Sequence, residues 1–188
     1  MSSSSKFILA SKSPRRKDLL QLLDIDFTIK VSDICEDLKE GLTNEEIVMD
    51  LAIQKAQHVA KDCPDCYVLG FDTLVILDGI PLGKPADYND GFRMLRSLSG
   101  RSHRVLTGCA IVKDGNVDSF YDYADVTFNE MSDDEIKEYL NTNEPFDKAG
   151  AYGIQGYGAR YISKVDGDYY SVMGVPLQKL YNKLRGLK

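Results

Sequence analysis

Ser13-Pro14-Arg15-Arg16 sets two guanidinium groups in the first turn of a predicted helix, directly after a short apolar run. Free backbone N–H groups and the positive end of the helix dipole already favour an anion there. Two cations at that end oppose the isolated helix, so they point to a negative ligand; arginines that face solvent or pair with the chain's many carboxylates are the alternative. Asp72 follows the apolar run Tyr67-Val68-Leu69-Gly70-Phe71 and is expected, with Thr73, at the carboxyl end of a strand, where open α/β sheets place ligand crevices. A carboxylate in that position suits Mg²⁺ coordination or proton abstraction from water, although a strand-end Asp bonded to local backbone is common. Lys84, between Gly83 and Pro85, and Lys55, beside Ala52 and Ala56 on a helix, add two ammonium groups with reach. With Arg15 and Arg16 they make the kind of cationic set that a triphosphate requires. A glycine-rich loop from Lys148 to Gly156 carries one lysine and one amide. Gln155 both donates and accepts, as reading a base edge demands, but supporting its own loop is the more ordinary role of a glutamine. The glycine spacing matches neither the phosphate-binding loop nor the dinucleotide fingerprint.

Other chemistries find less support. Cys63-Pro64-Asp65-Cys66 has redox spacing, yet it lies between a helix end and a strand start, with no second pair to complete a zinc site. His58 and His103 accompany no nucleophile motif, and Ser11 and Ser13 have no evident Ser-His-Asp partners.

The elements that must position these residues alternate between strand and helix. Lys6 to Ala10 reads as a buried strand, followed by a helix with Ser13 as N-cap, Pro14 at its first position and Leu19, Leu20, Leu22 and Leu23 inward. Phe27 to Val31 is a second strand. Thr43 and Glu46 form a capping box for a helix whose inner face carries Ile47, Val48, Leu51, Ala52, Ala56 and Val59. Strand is expected again over Tyr67–Phe71 and Leu74–Leu77, then a turn at Asp78-Gly79 and a helix from Tyr88 to Leu98. Ser102–Val112 and Val117–Phe128 form a hairpin about Lys113-Asp114-Gly115-Asn116, and Ser132 with Glu135 caps a helix over Asp133–Leu140. A strand pair around Asp166-Gly167 and a final helix from Pro176 complete the chain. The pattern is an α/β protein with a mixed sheet and no internal repeat, read as one domain over residues 1–188. Any division into lobes is expected near Gly83 or Gly100.

The 188 residues are 43% hydrophobic and 28% charged, which excludes collagen-like, coiled-coil and disordered classes. Lys and Arg number 23 against 29 Asp and Glu, a net charge of −6 that argues against binding a nucleic-acid duplex while leaving a small anion open to local basic clusters. No apolar run approaches a membrane span or a signal peptide. Four scattered cysteines favour a reducing compartment, so the cytoplasm is the expected location.

In order along the chain, Ser11-Lys12-Ser13-Pro14-Arg15-Arg16, Glu36 after Asp33-Ile34, Ala52-Ile53-Gln54-Lys55-Ala56, Gly70-Phe71-Asp72-Thr73, Gly83-Lys84-Pro85, Leu98-Ser99-Gly100 and Asp147 to Gly156 resemble the motifs of the Maf nucleoside triphosphate pyrophosphatases. The resemblance runs from Ile8 to Leu177. It implies an elongated mixed sheet flanked by helices, with two lobes around a deep cleft, similar to inosine triphosphate pyrophosphatases. It implies a cut between the α- and β-phosphates that depends on Mg²⁺ or another divalent cation such as Mn²⁺. Glu36 and Asp72 would hold the metal and Asp72 would accept the proton of the attacking water. Ser13, Arg16, Lys55, Lys84 and Lys148 would bind the nucleotide, and Arg15, Thr73 and Gln155 match the specificity positions of the dTTP/UTP branch. A homodimer is suggested by the same resemblance. Cys35, where an acidic residue is usual, and Phe71, where a small one is usual, depart from the pattern. A nucleotide-binding regulator of cell division without turnover, and a pyrophosphatase for another modified nucleotide, are the alternatives.

Overall fold

Two Asp-Gly pairs turn the chain back on itself. Asp78-Gly79, with φ of 53° and 80°, and Asp114-Gly115, with φ of 51° and 77°, take the left-handed backbone that two-residue hairpin turns require. In the computed structural model, which describes residues 7–187, they join β3 (Tyr67–Leu77) to β4 (Ile80–Leu82) and β5 (Ser102–Lys113) to β6 (Asn116–Phe128). The remaining strands are β1 (Phe7–Leu9), β2 (Phe27–Ile29) and β7 (Ile162–Gly167). The sheet runs β2-β1-β3-β5-β6-β7, with β4 paired to β3. β1 pairs in parallel with β2 and β3, whereas β3–β4 and β6–β7 are antiparallel. The sheet is therefore mixed, as the alternation of elements predicts.

Among the described residues six α-helices accompany it: α1 (Pro14–Gln21), α2 (Asn44–Ala60), α3 (Tyr88–Leu98), α4 (Asp133–Leu140), α5 (Tyr169–Met173) and α6 (Leu177–Arg185). Both predicted capping boxes form, Thr43 with Glu46 on α2 and Ser132 with Glu135 on α4. Short 3₁₀ turns occupy Glu144–Asp147, Ala149–Ala151 and Tyr157–Tyr161.

The chain makes two units. One takes the chain through Asp72, Thr107–Asp122 and the segment from Gly174. Its core includes Ile8, Ala52, Ala56, Val59, Val68, Ala110 and Val112. The other takes Thr73–Leu106 and Tyr123–Met173, with Leu95, Leu98, Val126, Phe128, Ile136 and Tyr139 in its core. The chain passes from one to the other inside β3, β5 and β6 and just after α5, not at Gly83 or Gly100, because the long strands continue without a turn.

Three local expectations change. Leu22 is 64% exposed, since α1 stops at Gln21 and Leu22 closes it by donating its N–H to Leu19. The strand pair expected around Gly167 is a single strand followed by α5; the Asp168 carboxylate accepts from the Ser171 N–H at 2.9 Å and hydroxyl at 2.6 Å, which turns the backbone into a helix. Asp72 lies in the middle of β3 and not at a strand end, because Asp72 and Thr73 keep extended backbone between two apolar runs. The start of the first predicted strand, Lys6, lies outside the described residues.

Candidate active site

Two glycines lower α2 onto the sheet. A Cβ at Gly70 would collide with the Ala52 carbonyl oxygen and stand 2.9 Å from the Ala56 methyl, and one at Gly108 would collide with the Val48 carbonyl. The helix consequently lies directly against β3 and β5, and Lys55, one turn along from Ala52, reaches Asp72, two residues along from Gly70. Its ammonium donates to Asp72 Oδ1 at 2.5 Å and pairs with Glu36 Oε1 at 2.9 Å. The Lys55 and Asp72 side chains are 16% and 12% exposed, that of Glu36 44%. One half-buried ammonium thus joins two carboxylates that lie 36 positions apart in sequence.

Glu36 belongs to a stretch without helix or strand between β2 and α2. Gln54 holds that stretch. Its amide oxygen accepts from the Asp37 N–H at 3.0 Å, and its amide nitrogen donates to the Asp37 carbonyl at 2.8 Å and to Asp50 at 2.6 Å. Lys39 adds an ion pair with Asp50 at 2.5 Å. The sequence reading passed over Gln54 as a neighbour of Lys55, though its amide is what fixes the residue following Glu36.

Arg16 comes to the same cluster from α1. Its Nε donates to the Gly174 carbonyl at 3.0 Å and its Nη1 to the Ser11 hydroxyl at 3.2 Å, while the guanidinium lies 5.8 Å above the Phe71 ring. Phe71, fully buried, is therefore a floor for the cation. Burial lowers the Arg16 pKa, and the nearby Asp72 carboxylate opposes that shift; an arginine keeps its proton regardless. Arg15, beside it, is half-buried. Ser13 stands at the N-cap position, but its hydroxyl makes no capping bond and no acidic residue lies in the first turn, so neither serves the α1 amides as an anion would.

Burial pushes the Asp72 carboxyl above the ordinary carboxylate range, and Glu36 adds to this, against the pull of Lys55 and Arg16. A raised carboxyl is a stronger proton acceptor once ionised. Glu36 and Asp72 also offer hard oxygen donors to one positive charge. Two carboxylates, completed by water and phosphate oxygens, are the share of ligands a protein ordinarily gives Mg²⁺, and the pair fits it. Among the described residues no group of three or more His, Cys, Asp or Glu forms an all-protein metal cage. Cys63 and Cys66 are free thiols in a turn closed by the Cys66 N–H on the Cys63 carbonyl at 3.2 Å.

Thr73, Lys84, Lys148 and Gln155 belong to the second unit. There the Gly150 N–H donates to the Gly83 carbonyl at 3.0 Å, which ties the Lys84 loop to the glycine-rich loop. Lys84 and Gln155 are exposed. Lys148 is tucked in, donating to the Glu144 carbonyl at 2.7 Å and to Asp147 at 2.6 Å. Glu144, which sequence reasoning missed, is the hub of this region. Its Oε1 accepts from the Tyr139 hydroxyl at 2.7 Å and the Gly158 N–H at 3.2 Å, and its Oε2 from the Tyr157 N–H at 2.7 Å. Burial alone would raise its pKa; these donors, with Lys148 nearby, bring it below the ordinary value.

The fold is similar to that of two Ham1 proteins. The structure of the Staphylococcus aureus Ham1 protein superposes with a TM-score of 0.54 at 16% identity, covering 98% of this chain and 100% of that one. A HAM1 protein from Coxiella burnetii gives 0.57 at 16% identity, covering 97% and 99%. At that identity the likeness speaks for the fold alone. The chain belongs to the Maf-like protein family, which it matches over residues 6–187. It is 49% identical over 180 residues to a dTTP/UTP pyrophosphatase of Bacillus velezensis, covering 96% of this chain and 95% of that one. It is 47% identical over 178 residues to a dTTP/UTP pyrophosphatase of Halalkalibacterium halodurans, covering 95% and 94%.

Proposed function

We propose that the chain is a dTTP/UTP pyrophosphatase, a hydrolase that cleaves the nucleoside triphosphate between its α- and β-phosphates to give the monophosphate and pyrophosphate. The observation that carries the chemistry is the Asp72–Lys55–Glu36 cluster beside Arg16, since binding an anion needs cations whereas hydrolysis also needs a base.

Asp72 takes the proton of the attacking water, and Arg15, Arg16 and Lys55 hold the phosphates and the charge that builds on them. Release of Lys55 from the two carboxylates as phosphate arrives frees Asp72 to act. Glu36 and Asp72 would hold Mg²⁺, or Mn²⁺ in its place. When bound, such an ion supplies Lewis-acid charge to the phosphate oxygens. Ser13, Thr73, Lys84 and Lys148 serve the same nucleotide on the resemblance to the family's motifs, and Gln155 reads the base, with Arg15 and Thr73 as its companions in specificity. We further propose one functional domain over residues 1–188, a cytoplasmic enzyme, a homodimer, and no affinity for duplex nucleic acid. Among the described residues no helix is long and apolar enough to cross a membrane.

The test is product analysis with Mg²⁺ and a panel of dTTP, UTP, CTP, GTP, 7-methyl-GTP and ITP, with Asp72→Asn in parallel. Monophosphate and pyrophosphate from dTTP and UTP, formed about 10²–10³-fold more slowly by the variant, are expected. Nucleotide bound but left whole would overturn the reading in favour of a regulator without turnover.

A further inference from the structure

The glycine-rich loop is folded around a carboxylate of its own chain. A Cβ at Gly156 would overlap the Glu144 carboxylate, one at Gly153 would stand 3.1 Å from Glu144 Oε1, and one at Gly158 would stand 2.6 Å from the Tyr139 hydroxyl. Gly156 and Gly158 are small where the backbone passes over Glu144 and Tyr139, and Gly153 where it passes over the Lys148 side chain as well as Glu144, close approaches that require no phosphate-binding pattern. The amides follow the same logic. Tyr157 and Gly158 donate to the Glu144 carboxylate, and Gly153 donates at 3.0 Å to the Tyr139 hydroxyl that itself donates to Glu144. The backbone is thereby fixed at Gly153 and again at Tyr157 and Gly158. Gln155 lies in the short arch between those anchors, with its side chain exposed.

We propose that Glu144 is a positioning residue for base selectivity: with the Tyr139 hydroxyl it sets the arch that presents Gln155 to the nucleobase. Glu144 itself makes no contact with the nucleotide. Its oxygens already accept three hydrogen bonds from its own chain, and a carboxylate repels a triphosphate. The inference rests on the reading of Gln155 as the group that meets the base. Glu144→Gln substitutes a donor for one of the two acceptor oxygens, so that at least one of the three donors loses its partner while volume is kept.

The experiment measures kcat and KM for dTTP, UTP, CTP and GTP with the wild type, Glu144→Gln, Tyr139→Phe, Gln155→Ala and the Glu144→Gln/Gln155→Ala pair. Backbone amide exchange at Gly153, Tyr157 and Gly158 is followed alongside. Glu144→Gln is expected to lower the dTTP-over-GTP ratio of kcat/KM about tenfold, the worth of one well-made hydrogen bond, through KM for dTTP. kcat for dTTP should stay within about threefold, the three amides should lose protection, and the paired variant should lose no more selectivity than Gln155→Ala alone. Tyr139→Phe should act in the same direction, and it provides the reading if Glu144→Gln fails to fold. If Gln155→Ala abolishes selectivity and the Glu144 and Tyr139 variants keep it, the positioning role is overturned while the base reading stands. If Gln155→Ala leaves selectivity intact, the base reading falls and takes this inference with it. An equal loss of kcat for every nucleotide in Glu144→Gln would make the residue merely structural.

Discussion

Residues 30–43 and 144–158 both carry candidate site residues, and a polar side chain anchors the backbone of each, but the two anchors, Gln54 and Glu144, are of opposite design. Gln54 answers a donor and an acceptor of the same residue, Asp37, with one amide. Glu144 gathers donors only, one hydroxyl and two backbone N–H groups. An amide that pairs both ways keeps its bonds at any ordinary pH, whereas a carboxylate surrounded by donors holds them only while ionised. The glycines differ correspondingly. Gly70 and Gly108 bring a helix onto a sheet so that charges meet, and Gly153, Gly156 and Gly158 let a loop close over a charge. The first region is built to bring charged groups together, the second to hold a shape.

The largest effect should fall on the first region. Asp72→Asn should lower turnover by about 10²–10³-fold, as loss of a charged stabiliser does, with the dTTP-over-GTP preference of the residual activity retained; steady-state kinetics on both nucleotides decides. A preference lost together with turnover would erase the division of labour between the regions. Gly70→Ala should destabilise the whole fold by up to roughly 3 kcal/mol, because the obstacle is the Ala52 backbone carbonyl and not a side chain that can turn aside. Gly156→Ala, whose obstacle is the Glu144 side chain, should shift the urea midpoint less. Gln54→Ala should reduce activity at limiting Mg²⁺ by about 10- to 100-fold, with recovery as the ion is raised, since it releases the segment that holds Glu36 in place. No recovery at saturating Mg²⁺ would show that Gln54 acts elsewhere.

The smallest effect concerns acid. Burial pulls the His103 imidazole from 6.5 down to about 4, with Asp125 opposing, and its Nδ1 has no partner while Nε2 meets the Tyr152 hydroxyl at 2.7 Å. The folded state therefore holds His103 neutral where the unfolded chain would bind a proton. Stability from this source is whole above pH 6.5 and is lost as pH falls toward about 4. Between about pH 7.5 and 5 the loss should be about 2 kcal/mol. Glu144, lowered by its donors, works in the same direction at lower pH. Urea midpoints across that range should slope for the wild type and flatten in His103→Phe; equal slopes would remove His103 as the cause.

Much of the molecule was legible because its signals are local. The Asp-Gly turns, the capping boxes at Thr43 and Ser132, and the apolar face of α2 each lie within a few residues of one another. Asp72, Lys55 and Arg16 were legible as residue types, whereas Glu36 stood out only through the family's motifs. What the sequence hid is pairing at a distance. Gln54 meets a backbone 17 positions away, Glu144 one 13 and 14 positions away, and nothing in the composition of either segment announces it. One trace was available: three glycines at 153, 156 and 158 that matched no ligand-binding pattern called for some other object to wrap. The position of Asp72 inside β3 was obscured because Thr73, a good strand former, reads as a site residue as readily as a strand residue.

Glu144 also bears on what nucleotide binding must overcome. A loop of this length that ordered only around its ligand would lose conformational entropy at about 1–2 kcal/mol per backbone residue, all of it subtracted from affinity. Here that loss accompanies folding. If Gln155 is the group that meets the base, as proposed, its backbone is already in place, and calorimetry should find a heat-capacity change no larger than expected for the surface buried by the nucleotide itself.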